Sequence, residues 1–254
     1  MCGRYASARS AQDLAAWFES EEPEQALAPR WNVAPTDPVY AVVHRERREL
    51  RVLRWGLVPS WSKDAKGAAR MINARVESVE TKPAFRAAFQ RRRCLLPADG
   101  YYEWQTDGSR KQPWFLSARD GSPLAMAGLY EVWTPPGADR DTADRDTADG
   151  EPADGEPAPR LWTCTVITTS AADEHGQIHD RTPLLVLPQH WSRWLDPAVE
   201  DPGADLLVPG TPGVLDAWPV APAVGNVRND GPQLVEPVVA PGAEPDPGPD
   251  PTLF

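Results

Sequence analysis

Apolar positions in this chain fall in short runs broken by turn residues, not in long helical stripes. Runs at 39–43, 50–58, 114–116, 124–130 and 161–168 are rich in β-branched, leucine and aromatic side chains. Most are bounded by Pro or Ser, and each predicts a strand. Helical spacing shows near the start, where Leu14, Trp17 and Phe18 recur at three and four residues. Ser10 stands where a helix cap belongs, with Asp13 at the capping-box position in place of Glu. Segments 85–92 and 189–195 predict two further short helices. Strands do not alternate with helices as in a parallel Rossmann sheet, so the expected class is α+β.

Two segments carry no apolar periodicity. Residues 137–159 repeat Asp-Arg-Asp-Thr-Ala twice and then Asp-Gly-Glu-Pro-Ala twice, and 241–254 are dominated by Pro, Gly and Asp. Such sequence cannot bury enough apolar surface to offset the entropy of ordering it. The expectation is one domain over 1–240 with a disordered acidic insert at about 137–159, then a disordered tail over 241–254.

Charge changes the picture only once it is located. The 254 residues carry a net −11, which argues against nucleic acid. The insert holds eight acids and two bases, a net −6, and the tail adds Glu244, Asp246 and Asp250. Taking −6 and −3 from −11 leaves −2 for the body, which contains the basic stretch Lys82, Arg86, Arg91, Arg92 and Arg93. A nearly neutral body with local basic patches can still bind a phosphate backbone. Eleven Trp and a 41% hydrophobic content supply a core. No apolar run reaches about 18 residues and no signal-peptide pattern opens the chain, so neither a membrane nor export is expected. Cys2, Cys94 and Cys164 are too few and too scattered for a disulfide framework or zinc cluster, which fits a cytoplasmic protein with reduced thiols. His175 and His179 are four apart, but Gly176 lies between them and no His-Glu-x-x-His pattern is present, so no metal and no cofactor are expected.

The chemistry starts at Met1-Cys2-Gly3-Arg4-Tyr5. Removal of Met1 would leave Cys2 with an α-amine and a thiol on adjacent carbons. Their reference pKa values, about 7.7–8.0 and about 8.5, give both a useful nucleophilic fraction near neutral pH. Such a 1,2-aminothiol can attack a carbonyl with the amine as base. It can also condense with an aldehyde to an imine and close a thiazolidine ring. Glu103 stands among Tyr101, Tyr102 and Trp104, where desolvation raises a carboxyl pKa and suits it to general acid–base work. His179, followed by Asp180 and Arg181, can shuttle protons. Arg4, Arg75 and Arg181 have the planar fork that binds phosphate, though each could instead pair with a carboxylate such as Glu77. Of the two Trp in 55–61, Trp61 is assigned to base stacking and Trp55 to the core.

Five segments besides the N-terminus stand in order: Trp31-Asn32-Val33-Ala34-Pro35, Met71 to Glu77, Cys94 to Trp104, Thr168 to Ala172 followed by Ile178 to Pro183, and Val224 to Asn229. With Met-Cys-Gly-Arg-Tyr they resemble the SRAP family, the SOS response-associated peptidases or abasic-site processing proteins, from Cys2 to about Val239. The resemblance implies a fold built on antiparallel, barrel-like β-structure with a few short peripheral helices. It implies a catalytic set of Cys2, Asn73, Glu103 and His179, and DNA contacts from Arg4, Asn32, Pro35, Trp61, Arg75 and Arg181. It also implies a partner, single-stranded DNA with an abasic site, bound by a monomer and held by a thiazolidine crosslink, with self-removal of Met1 and some lyase activity. Two other classes begin from the same residues. Class II glutamine amidotransferases open on Cys-Gly, but here Arg4 follows where Ile is usual and nothing else matches a glutaminase. A non-covalent lesion reader would need the DNA contacts alone.

Overall fold

A computed structural model describes residues 3–136, 146–147, 160–171, 174–209 and 213–239. Cys2, most of the acidic insert and the tail lie outside the described residues. In chain order the strands are β1 (Tyr5–Ser7), β2 (Arg30–Val33), β3 (Pro38–His44), β4 (Arg48–Trp55), β5 (Asn73–Arg75), β6 (Arg93–Ala98) and β7 (Gly100–Asp107). They continue as β8 (Arg110–Ala118), β9 (Leu124–Trp133), β10 (Asp146–Thr147), β11 (Arg160–Ser170), β12 (Arg181–Pro183) and β13 (Leu215–Pro219). The α-helices are α1 (Ala11–Phe18), α2 (Arg86–Arg91) and α3 (Trp191–Leu195). All five runs read as strands are strands, and the three helices stand where the spacing put them.

Two sheets make the body. One has the order β13-β8-β7-β1-β2. In the other, β11 pairs β4, β4 pairs β3, β3 pairs β6, β6 pairs β9, and β9 returns to β11. That ring is a closed five-stranded barrel, antiparallel at every seam but one. The parallel seam joins β11 to β4 over Thr163↔Arg54 and Cys164↔Trp55. β5 and β12 attach to the far end of β11, β5 parallel and β12 antiparallel. Of the insert, only the two-residue β10 is described, parallel to β11.

Alternation of side chains along the barrel strands separates two hydrophobic clusters. Val39, Ala41 and Val43 of β3 join Cys94, Leu96, Met126 and Cys164, together with Tyr5, Tyr101 and Leu116 from the other sheet. Tyr40 and Val42 join Leu95, Ala127 and Leu129, together with Leu14 and Phe18 of α1, Phe89 of α2 and Trp194 of α3. One face of the barrel sheet thus packs against the second sheet and the other against the helices. Cys94 and Cys164 are free thiols, and burial pushes both well up. The cap of α1 is as expected: the Ser10 hydroxyl accepts from Asp13 N–H at 3.1 Å. Among the described residues no helix is long and apolar enough to cross a membrane.

Candidate active-site cleft

Glu103 lies mid-strand on β7, in register with Trp114 of β8, and is 3% exposed. Its neighbours in sequence, Tyr102 and Trp104, point to the opposite face, so the desolvation comes from packing on its own face, where Tyr101 and Trp114 stand. Burial pushes the carboxyl up to about 7, and the charge of Asp180 adds to the shift. Glu103 is therefore close to half-protonated at neutral pH and can both give and take a proton.

His179 faces Glu103 across a narrow cleft whose walls include Tyr101, Ile178, Arg181 and Thr182. The His179 Nδ1 lies 2.9 Å from the Arg181 backbone N–H and 2.9 Å from Asp180 Oδ1. It accepts the first only without a proton and donates to the second only with one. Burial holds the imidazole below its ordinary pKa, so the neutral form accepting from Arg181 prevails and the proton sits on Nε2. Tyr101 and Thr182 close one wall through a 2.9 Å hydroxyl–hydroxyl hydrogen bond.

Arg181 is committed to the protein. Its fork grips Glu77 with both Nη atoms, at 2.5 and 3.0 Å, and Nη2 also donates to the Thr168 carbonyl at 2.6 Å. The bidentate pair holds Glu77 below the usual carboxylate range. Here the carboxylate pairing weighed from the sequence is the one the fold adopts, and Arg181 orders a cleft wall. Asn73 starts β5, opposite Val166 of β11, and is half-buried. Arg75, two residues on, is exposed.

Arg4 and Asn32 form a second cluster. Arg4 Nη1 donates to Asn32 Oδ1 and to the Val224 carbonyl, both at 2.8 Å. Asn32 is fully buried and its Nδ2 donates to the carbonyls of Val224, Asn226 and Asn229. The side chain fixes 224–229, because a buried amide must spend its donors on carbonyls. Pro35 is half-buried. Trp61 is 66% exposed, whereas Trp55 is fully buried and donates its indole N–H to Ile72.

The fold thus brings Glu103, His179 and Arg181 into one cleft, and Arg4 with Asn32 into one anchor. Tyr101, Ile178 and Thr182 were missed as cleft residues. Tyr101 was findable, since it is two residues before Glu103 and so shares its strand face. Thr182 and Ile178 were findable too, since both lie with His179 in the motif segment Ile178 to Pro183. Among the described residues no group of three or more His, Cys, Asp or Glu is placed to hold a metal ion.

Comparison with known proteins gives the family. The family model for SOS response associated peptidase (SRAP) matches residues 1–227. The chain belongs to the SRAP family. It is 34% identical over 242 residues to the abasic site processing protein YoqW of Bacillus subtilis, covering 93% of this chain and 99% of that one. It is 33% identical over 248 residues to the abasic site processing protein YedK of Escherichia coli, covering 94% and 100%. A solved structure from Bacteroides thetaiotaomicron shares the fold at a TM-score of 0.76 and 22% identity, covering 94% of this chain and all of that one. The SRAP motifs read from the sequence sit on β1, β2, β5 to β7, β11 to β12 and the 224–229 segment, so elements far apart in the chain supply the two clusters.

Proposed function

We propose that this SRAP protein captures abasic sites in single-stranded DNA as a covalent thiazolidine at Cys2, shielding the lesion from strand cleavage. One observation carries the reading. β1 and β7 run antiparallel with Tyr5 opposite Tyr101, and the Tyr102 N–H donates to the Arg4 carbonyl at 3.0 Å. Two residues back, that register sets Gly3 beside Glu103, the buried carboxyl whose pKa stands at about 7. An aminothiol one residue before Gly3 would begin within about 3.5 Å of backbone reach of that pair.

The ring-opened abasic sugar is an aldehyde at C1′. With Met1 gone, the Cys2 amine adds to C1′ to give a carbinolamine. A protonated Glu103 or the Nε2–H of His179 donates to the departing hydroxyl, which leaves as water and gives the imine. The thiol then adds to the imine carbon, its proton passing to the nitrogen through Glu103 carboxylate, and the five-membered ring closes. The net change is loss of one water. The imine stage also permits β-elimination, which would appear as lyase activity. Removal of Met1 by the chain itself is the peptidase step that fits the family's name.

A denaturing gel after incubation with an abasic oligonucleotide tests the reading. The wild type is expected to give a heat-stable adduct, Cys2→Ala none, and Cys2→Ser at most a labile imine. A heat-stable adduct with Cys2→Ala, or none with a wild type shown by mass to begin at Cys2, overturns it.

A further inference from the structure

Beside the Glu103 cleft lies a larger cavity of about 310 Å³, within the range of ligand pockets. The two share Ile178 as a common wall. Trp114 and Gln105 line the larger one, and both stand on the Glu103 face of the sheet. Trp114 is directly opposite Glu103, and Gln105 is two residues along β7. Their side chains are fixed to each other: the Trp114 indole N–H donates to Gln105 Oε1 at 3.1 Å, and Gln105 Nε2 donates to the Gln177 carbonyl at 3.3 Å. The charges on the wall cancel, since Arg119 Nε pairs with Asp216 at 2.8 Å.

We infer that this cavity is a subsite for the nucleobase next to the abasic sugar, which stacks on Trp114 and presents its polar edge to the amides of Gln105 and Gln177. The chemistry of the wall selects that ligand. A phosphate would need uncompensated cations, and the one cation here already has its carboxylate. A purely apolar ligand would waste two amides. A planar, neutral heterocycle with donors and acceptors on its edge matches an indole beside carboxamides. Location selects the same ligand, because a strand with its abasic sugar at Glu103 carries intact bases on both sides. The subsite therefore rests on the reading of this chain as a binder of abasic strands.

The test is equilibrium binding of the full chain to single-stranded oligonucleotides by fluorescence anisotropy. Each carries a tetrahydrofuran abasic analogue, which cannot crosslink. One has bases on both sides, and two others lack the base on the 5′ or the 3′ side. Wild type is expected to lose roughly 5- to 150-fold in affinity when the base on one particular side is removed, the range for one base stacked on an aromatic. Trp114→Ala and Gln105→Ala should bring that ratio towards one, and Trp114→Phe should keep most of it. Equal wild-type affinity for all three strands, or a ratio unchanged in both alanine variants, overturns the subsite. If Trp114→Ala fails to fold by circular dichroism, Gln105→Ala decides, since it removes one amide from the cavity wall. Crosslinking of a natural abasic oligonucleotide runs alongside. Crosslinks without base discrimination remove the subsite alone, whereas discrimination without crosslinks supports the subsite and removes the covalent reading.

Discussion

Glu103 concentrates the energetic conflict of the molecule in one side chain. It is 3% exposed, and burial raises its pKa from 4.5 to about 7. In the unfolded chain it releases its proton near pH 4.5, and in the folded chain only near 7. Between those values the folded state binds more protons, so this residue makes stability fall as pH rises from about 4.5 to 7, then level off. At about 1.36 kcal/mol per pKa unit the loss comes to roughly 3 kcal/mol. Glu103→Gln removes the titration. Thermal or urea unfolding from pH 4.5 to 8 should show the variant gaining on wild type by up to about 3 kcal/mol, chiefly between pH 5 and 7. Coincident pH profiles would show that the carboxyl titrates as an exposed one. The same substitution keeps shape and hydrogen bonding but loses proton transfer. Single-turnover crosslinking at saturating abasic DNA should therefore slow by about 10²–10⁴-fold, with DNA affinity little changed. A variant as fast as wild type would move the proton transfer to His179.

At the scale of elements, β9 is the strand on which the barrel depends, because it pairs with β6 on one side and β11 on the other. At its middle stands Gly128, where an added Cβ would come within 2.1 Å of Leu96 Cδ1 and 2.9 Å of the Thr165 carbonyl oxygen. Leu96 can rotate, but the backbone of β11 cannot withdraw without breaking its ladder. Gly128→Ala should thus destabilise by about 1–3 kcal/mol or more through overpacking, measured by urea unfolding. A neutral substitution would mean that the β9–β11 seam is looser than its register suggests. This strand also shows what was legible from sequence. The run 124–130 announced β9 because both of its faces are apolar, and α1 announced itself through its cap and spacing. The strands β1, β2, β5 and β12 did not, being three or four residues each and held by distant partners, Ser7 by Arg30 and Asn73 by Val166 for instance, or, for β12, by the end of β11. The site divided in the same way. Glu103 was legible because aromatic neighbours announce desolvation. The Arg181–Glu77 pair was visible only as one of several options, since 104 residues separate its members. The hold of Asn32 on 224–229 was not legible, because polarity in a motif looks the same whether it faces a ligand or a buried loop.

For the whole molecule, the distribution of charge matters more than its sum. The segment 137–159 contributes −6 of the net −11 and separates β9 from β11. Those strands are antiparallel neighbours with Trp133 opposite Leu161, so their facing ends already lie side by side. Deleting 138–158 would leave Thr134, Pro135, Pro136, Gly137 and Pro159 as a five-residue connection, within the ordinary length of a hairpin loop. The deletion removes β10, whose two residues pair only with the start of β11. The barrel seams are untouched, so thermal stability should change little. Eight acids and two bases leave with the segment, and the phosphate backbone then meets a body of far lower negative charge. Affinity for single-stranded DNA should rise at low salt. The gain should shrink as salt rises, because the Debye length falls from about 10 Å at 0.1 M to about 3 Å at 1 M and screens the repulsion in both forms. The slope of log affinity against log salt counts phosphates contacted, and the deletion leaves Arg4 and the exposed Arg75 in place, so the steep part of that dependence should survive. Binding titrations of wild type and deletion at several salt concentrations check each statement. Affinity that drops on deletion would mean that the segment itself holds DNA, and a deletion that unfolds would mean that it belongs to the fold.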